Sequence, residues 1–254
     1  MYQAGTDTIV QRLQSPAMTT RMAPQGIGAV ASLQYSPDSR FLAVGFQGGA
    51  IGIYETATGQ LKKAVSLSSF LQGPVAYSPN GKYLAFGDRS EEMRNALGPH
   101  VIQLLDTETG QVVKTLVGHA GRITALAFDP HGKFLVSGTE TGQIVDSLDR
   151  KTNQMLRYKN EDPIRIWDYE TGMVVKEFGG HTGSVKSLVF YQNGKYMISG
   201  SYDKTIKIWD VARGELLSTV TGHNDLVDSI VISSDGKYLV SAGNSPEIKV
   251  WERH

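Results

Sequence analysis

The sequence predicts an all-β protein built as a repeat array, about five four-stranded units set in a ring. Three observations predict it. Turns of the form Thr-Gly or Arg-Gly follow strand-like runs at Gly59, Gly110, Gly172 and Gly214, which lie 51, 62 and 42 residues apart, and the shortest interval is the basic unit. Runs such as SVKSLVF and KYMISGS alternate with the period of two that a half-buried strand requires, and no stretch shows helical periodicity. A turn pair recurs between the first two strands of each unit, at Asp38-Ser39, Asn80-Gly81, His131-Gly132, Asn193-Gly194 and Asp235-Gly236. Closing such an array into a ring avoids leaving strand edges bare.

Each element of the unit can be justified in turn. The first strand is the alternating run exemplified by SVKSLVF, and the turn pair after it supplies the residues of a type I′ hairpin with two left-handed positions. The second strand is KYMISGS and the third ends in a tryptophan, as in IKIWD. The fourth follows the Thr-Gly or Arg-Gly turn, as in GQLKKAV, GQVVKTL, GMVVKEF and GELLSTV. The last unit carries only three such strands within the sequence, and Gly5 to Leu13 (GTDTIVQRL) has the form of the fourth; pairing it beside the strand of Trp251 would latch the ring.

Composition narrows the function classes. The chain has 254 residues, 40% of them apolar, enough for one large domain with a substantial core. Its 25 Lys and Arg balance 25 Asp and Glu, so no net field draws it to nucleic acid or an anionic membrane. The absence of cysteine excludes disulfides, thiol catalysis and cysteine-ligated zinc. The opening MYQAGTDTIVQRLQ lacks a basic head followed by an apolar stretch, and no segment approaches the roughly 20 apolar residues of a membrane span. A cytosolic or nuclear protein is expected.

The last three units carry a specific signature. Gly118-His119, Gly180-His181 and Gly222-His223 open them, Trp167-Asp168 and Trp209-Asp210 close two third strands, and Trp251-Glu252 is a near match. His181, Ser199 and Trp209 are spaced by 18 and 10 residues, and His223, Ser241 and Trp251 repeat both intervals. These residues resemble the WD-repeat β-propeller family, over residues 28 to 254, with degenerate motifs in the first two units. The resemblance implies a single propeller domain over 1–254, with 1–27 as closing strand and loop and repeats at about 28–69, 70–117, 118–179, 180–221 and 222–254. It also implies a buried tetrad in which an aspartate fixes the histidine, the histidine reaches the serine, and the serine receives the indole N–H. His181, Ser199, Asp203 and Trp209 make the full set. His119, Ser137 and Trp167 lack the aspartate, Thr141 standing in its place, and His223, Ser241 and Trp251 lack it likewise, with Ser245 there. Tyr54 and Leu105 replace the tryptophan in the first two units, and Val44 and Phe86 replace the serine. An all-apolar replacement is self-consistent, because a half-satisfied buried polar set costs more than none.

Variation concentrates on one rim. The excess length of units two and three lies between their second and third strands, at 88–100 and 141–163, and the latter could hold a small hairpin of QIVDSLD with QMLRYKN. In a four-stranded meander these connections open on the same face as the loops that enter each first strand, and loops on rigid scaffolds carry binding. Candidate partner-binding residues on that face are Gln47, Arg89, Glu140, Tyr202 and Asn244, at one repeat position, with Arg122, Ser184 and Leu226 at the strand entries and Arg94 and Arg157 in the inserts. Tyrosine and arginine are the residue types that anchor protein contacts.

Catalytic chemistry finds no foothold. Three of the six histidines belong to the repeat, His131 lies in a turn and His254 at the end, leaving His100 as the free candidate for a ligand or base. The chain has no phosphate-cradling GxxxxGK[ST], no HExxH and no GxSxG. A non-enzymatic scaffold for a peptide or protein is expected, needing neither metal nor cofactor, with no nucleic-acid or membrane partner, and monomeric if the ring closes. The alternatives are a small-ligand sensor or enzyme at the central opening, and one module of a larger propeller.

Overall fold

The computed structural model describes residues 29–47, 49–66, 73–89, 100–141, 144–149, 154–159 and 164–252. These fold as a five-bladed β-propeller of antiparallel meanders, without a helix among the described residues. Blade 1 comprises β1 (Val30–Tyr35), β2 (Phe41–Phe46), β3 (Ala50–Glu55) and β4 (Leu61–Ser66). Blade 2 comprises β5 (Val75–Tyr77), β6 (Tyr83–Arg89), β7 (His100–Asp106) and β8 (Val112–His119). In blade 3, β9 (Ile123–Phe128) and β10 (Phe134–Thr139) precede a separate two-stranded sheet of β11 (Ile144–Asp149) and β12 (Gln154–Lys159), after which β13 (Ile164–Asp168) and β14 (Met173–Phe178) complete the blade. Blade 4 is β15 (Val185–Tyr191), β16 (Tyr196–Ser201), β17 (Ile206–Asp210) and β18 (Glu215–Val220), and blade 5 is β19 (Val227–Ile232), β20 (Tyr238–Gly243) and β21 (Ile248–Glu252). The proposed latch strand at Gly5–Leu13 lies outside the described residues.

Alternation along each strand gives every blade two apolar faces, which we term leading and trailing, and the cores lie between blades. The trailing face of blade 4, with Ile198, Ile206 and Ile208, packs on the leading face of blade 5, with Ile230, Leu239 and Trp251. The same arrangement joins blade 1 to 2, 2 to 3 and 3 to 4, each third-strand aromatic or leucine abutting the blade before it. Trp167, Trp209, Tyr54 and Leu105 are all fully buried at that position. The first strands β1, β5, β9, β15 and β19 pack against one another in succession. At the outer circumference, lysines on the fourth strands reach the turn of the next blade: Lys63 Nζ donates to the Thr107 carbonyl at 2.7 Å, Lys114 to the Glu170 carbonyl, and Lys176 to the Val211 and Ala212 carbonyls. Register places Lys63, Lys114 and Lys176 opposite Ile53, Leu104 and Ile166, and Ser218 holds that position in blade 4, opposite Ile208.

The turns between first and second strands differ from the expected type I′ form. At four of the five, only the second residue of the pair has positive φ, at Ser39, Gly81, Gly132 and Gly236; the Asn193-Gly194 turn has both. The physical reason is a side-chain cap that the turn pair alone does not reveal. Ser36 Oγ donates to Asp38 Oδ1 at 2.6 Å and accepts from Phe41 N at 2.9 Å, while Asp38 also receives Arg40 N. Ser78 with Asn80 and Ser233 with Asp235 repeat the pattern. This serine and Asx pair closes the turn through bonds of the serine hydroxyl and the Asx side-chain oxygen rather than through two strained residues.

Candidate functional site

The rim residues of blade 4 are held by the buried network beneath them. Trp209 Nε1 donates to Ser199 Oγ at 2.8 Å, and Ser199 Oγ lies 2.7 Å from His181 Nε2. His181 Nδ1 is 2.7 Å from Asp203 Oδ2, which also accepts Thr182 N, and Asp203 Oδ1 accepts the amide and hydroxyl of Thr205. With Nδ1–H given to the carboxylate, Nε2 is the acceptor for the serine O–H, so the chain of donors runs from indole to carboxylate. Burial alone would raise the Asp203 pKa, but the hydrogen bonds from His181 and Thr205 outweigh it and hold the carboxyl well below the usual range. The consequence for the rim is positional. Asp203 pins the loop entering β15 to the turn after β16, and Gly183 allows the approach: a Cβ there would lie 2.5 Å from Asp203 N and 2.8 Å from the Tyr202 carbonyl carbon.

Blades 3 and 5 keep three members of the network. His119 Nε2 is 2.6 Å from Ser137 Oγ, which accepts Trp167 Nε1 at 2.7 Å, and His223 and Trp251 meet Ser241 at 2.6 and 2.8 Å. In both, the histidine Nδ1 is buried without a hydrogen-bond partner among the described residues, as is Thr141 Oγ1. Burial, with the Arg165 and His100 charges added, pushes the His119 pKa well below the usual histidine value, and His223 is lowered by burial and by Lys249.

The repeat register brings part of the expected set together. Gln47 N, Glu140 N and Tyr202 N each donate to the carbonyl at the entry of their own blade's first strand, on Ala29, Arg122 and Ser184, at 2.9, 3.0 and 2.9 Å. One geometry therefore presents all three. Arg122 Nη2 and Glu140 Oε1 form an ion pair at 2.7 Å across the mouth of blade 3. Tyr202 reaches from blade 4 to blade 5, its Oη donating to Asp228 Oδ1 at 3.1 Å, while the Lys186 ammonium sits 5.1 Å from its ring centroid. Burial, then the charge and hydrogen bond of Asp228, then Glu140, raise the Tyr202 pKa and keep the hydroxyl protonated and donating. Arg122, Glu140, Lys186, Tyr202 and Asp228 thus form a belt of alternating charge over three adjacent blades.

Sequence reasoning missed Lys186 and Asp228, although a signal existed: each stands two residues after the strand entries Ser184 and Leu226, as Thr124 does after Arg122. Thr124 Oγ1 instead donates across to the Val185 carbonyl at 2.5 Å. Asn244 is an exposed residue of the β20–β21 connection. Arg89 pairs with His100 at the end of β6, so the strands extend into both ends of the expected 88–100 insert. That corrects the reading of His100 as a free loop residue, since β7 holds it half-buried in register with Arg89 and His119. Arg157 lies in β12, opposite Asp146 of β11, in the hairpin that fills much of the 141–163 insert. Arg94 lies outside the described residues. No cluster of three metal-ligating side chains occurs among the described residues.

Comparison with known proteins agrees with this architecture. Residues 110–145, 172–210 and 214–252 match the family model of the WD domain, G-beta repeat. An uncharacterized WD repeat-containing protein of Synechocystis is 26% identical over 76% of this chain and 47% of its own length. The guanine nucleotide-binding protein G(I)/G(S)/G(T) subunit beta-1 of Homarus americanus is 29% identical over 79% of this chain and 50% of its own. The chain therefore spans about half the length of these curated relatives. The solved structure of U3-55K superposes with a TM-score of 0.69 at 19% identity, over 88% of this chain and 61% of that one, which shows the shared fold.

Proposed function

Because this chain is a WD-repeat β-propeller, with the G-beta repeat in three places, we propose that it is a non-catalytic scaffold holding a peptide or protein on the rim described above. The observation that carries the reading is the belt itself. Four charged side chains from blades 3, 4 and 5 alternate in sign around one half-buried tyrosine, and the network under blade 4 fixes that tyrosine before any partner arrives. A pre-positioned aromatic at the centre of a polar surround suits an anchored peptide, because little ordering entropy remains to be lost on binding. The β11–β12 hairpin follows Glu140 closely in the chain and would wall one side of the belt. One of the relatives is by name a subunit of a guanine nucleotide-binding protein, an assembly of several chains. That supports a docking role in kind, not in partner.

Affinity capture from native lysate tests the proposal, using the intact chain beside two variants: Tyr202→Ala, and a form whose 88–100 and 141–163 segments are cut to the length of the blade 4 connection. A partner held by the intact chain and reduced at least about tenfold by Tyr202→Ala supports the rim as the docking surface. Capture of the same proteins by all three forms would remove both belt and inserts from the interface.

A further inference from the structure

The turn between the first two strands of blade 4 lacks the cap that closes its counterparts. In the four other turns the last residue of the turn pair donates its amide to the carbonyl three residues back. Ser39 N reaches Ser36, Gly81 N reaches Ser78, Gly132 N reaches Asp129 and Gly236 N reaches Ser233, each at 2.8 or 2.9 Å. Tyr191 stands at that capping position in blade 4, stacked on Tyr196 with ring centroids 5.1 Å apart. A phenol oxygen lies too far along its side chain to cap its own turn as a serine hydroxyl does. The turn bond moves one residue on, from Lys195 N to the Gln192 carbonyl at 3.2 Å. Gln192, Asn193 and Gly194 all take positive φ, at 47, 54 and 81°.

The chain holds two Asn-Gly pairs, Asn80-Gly81 and Asn193-Gly194, at the same place in blades 2 and 4, so the effect of the missing cap has an internal standard. Both asparagines are exposed. Asn80 Oδ1 accepts Ser78 Oγ at 2.7 Å and Lys82 N at 3.0 Å, while Gly81 N–H is bonded to Ser78. Among the described residues, neither the Asn193 side-chain amide nor the Gly194 N–H has a hydrogen bond. Asn193 is held instead by its backbone carbonyl, 3.0 Å from His131 Nε2 in the neighbouring turn of blade 3. A glycine at the next position puts no Cβ between its nitrogen and the asparagine side chain.

We propose that Asn193 is a site of spontaneous deamidation in the folded protein, a slow covalent change to which the capped turn of Asn80 is closed. The Gly194 nitrogen gives its proton to solvent base and attacks Asn193 Cγ. The new N–Cγ bond closes a succinimide ring as the Cγ–Nδ2 bond breaks, and ammonia leaves with a proton. Water then opens the ring: attack at Cγ yields aspartate, and attack at the backbone carbonyl yields isoaspartate, whose main chain is longer by a methylene. Either product adds a negative charge to a chain whose 25 Lys and Arg balance 25 Asp and Glu, and places it beside Lys195 and the His131 contact that joins blades 3 and 4. Isoaspartate also displaces the carbonyl that His131 holds. At Asn80 the same attack would first have to release the two bonds to Oδ1 and the bond from Gly81 N.

The test incubates the intact folded chain at neutral and at mildly alkaline pH and follows the tryptic peptides 187–195 and 64–82 by mass spectrometry, with an isoaspartyl-specific methyltransferase reporting the longer product. The Asn193 peptide should convert at least about tenfold faster than the Asn80 peptide, the effect of having to open two or three ordinary hydrogen bonds. Its rate should rise at the higher pH, because the attacking nitrogen must lose its proton. In guanidinium chloride, where neither turn exists, the two peptides should convert at similar rates. Ser78→Ala removes the cap of the blade 2 turn and should bring Asn80 toward the rate of Asn193 in a chain that a thermal melt shows to be folded. Asn193→Gln should leave the 187–195 peptide unchanged over the same period. Equal rates at the two sites in the folded chain, or conversion of Asn193 in guanidinium chloride only, would overturn the proposal. A folded Ser78→Ala chain in which Asn80 stays as slow as before would overturn the part assigned to the cap.

Discussion

Blades 3 and 4 share a histidine, a serine and a tryptophan in the same geometry and differ at the fourth position, Asp203 in one and Thr141 in the other. The difference decides what the histidine can do. In blade 4 its Nδ1–H has a carboxylate, and that carboxylate also ties two loops together. In blade 3 the same nitrogen is buried without a hydrogen-bond partner among the described residues, and so is the Thr141 hydroxyl. Blade 1 shows the other solution, in which Val44 and Tyr54 fill the positions of the serine and the tryptophan within an apolar cluster. A buried network is thus most valuable when whole, and the intermediate form in blade 3 depends most on conditions.

The largest test of this comparison removes the indole. Trp209→Ala should cost about 4 kcal/mol, leaving a cavity and an unpaired Ser199, while Tyr54→Ala should cost about 1 kcal/mol less; chemical unfolding of both variants measures the gap, and equal losses would remove the network from the account. Asp203→Ala should cost about 2–3 kcal/mol by stranding His181, Thr182 N and Thr205, against under about 1 kcal/mol for Thr141→Ala, again by denaturant midpoint.

A third test uses pH. The folded pKa of His119 lies below its unfolded value, so its contribution is complete above about pH 6.5 and is lost as pH falls beneath it, where the unfolded chain takes up the proton. Stability should therefore fall by up to about 1.4 kcal/mol per pH unit below that point from this group alone. Thr141→Asp supplies Nδ1 with an anion, raises the folded pKa and should flatten the slope; thermal melts from pH 7.5 to 5.5 compare the two, and parallel slopes would sink the explanation. The smallest effect belongs to Ser218→Lys, which adds the missing fourth-strand lysine toward blade 5 and should gain a few tenths of a kcal/mol at most, read as a shift of the urea midpoint.

The repeat made much of the fold legible. Glycine-histidine pairs, tryptophans and their 18- and 10-residue intervals are local in the chain, so they place strands and buried groups without knowledge of how blades meet. The hairpin in the third unit was legible for the same reason, as two alternating runs in one insert. What escaped depends on contacts across blades or on side-chain caps. Asp228 became part of the rim only because blade 5 turns it toward Tyr202, and no spacing within either unit encodes that angle. Ser36, Ser78 and Ser233 close their turns from outside the turn pair, so the pair alone suggested a hairpin type that four of the five turns do not adopt. The exposure of Ile248 and Leu33 was likewise hidden, since in sequence they match residues that are buried elsewhere.

The lysines that reach from each fourth strand to the following turn clasp blades 1 to 2, 2 to 3 and 3 to 4, and serine replaces the clasp between 4 and 5. In a molecule whose stability is a sum of neighbour couplings, failure begins at the weakest joint. Under pulling force, or in slow amide exchange, blade 5 should peel away first while the preceding four still hold, a graded loss that gives this chain a defined order of disassembly.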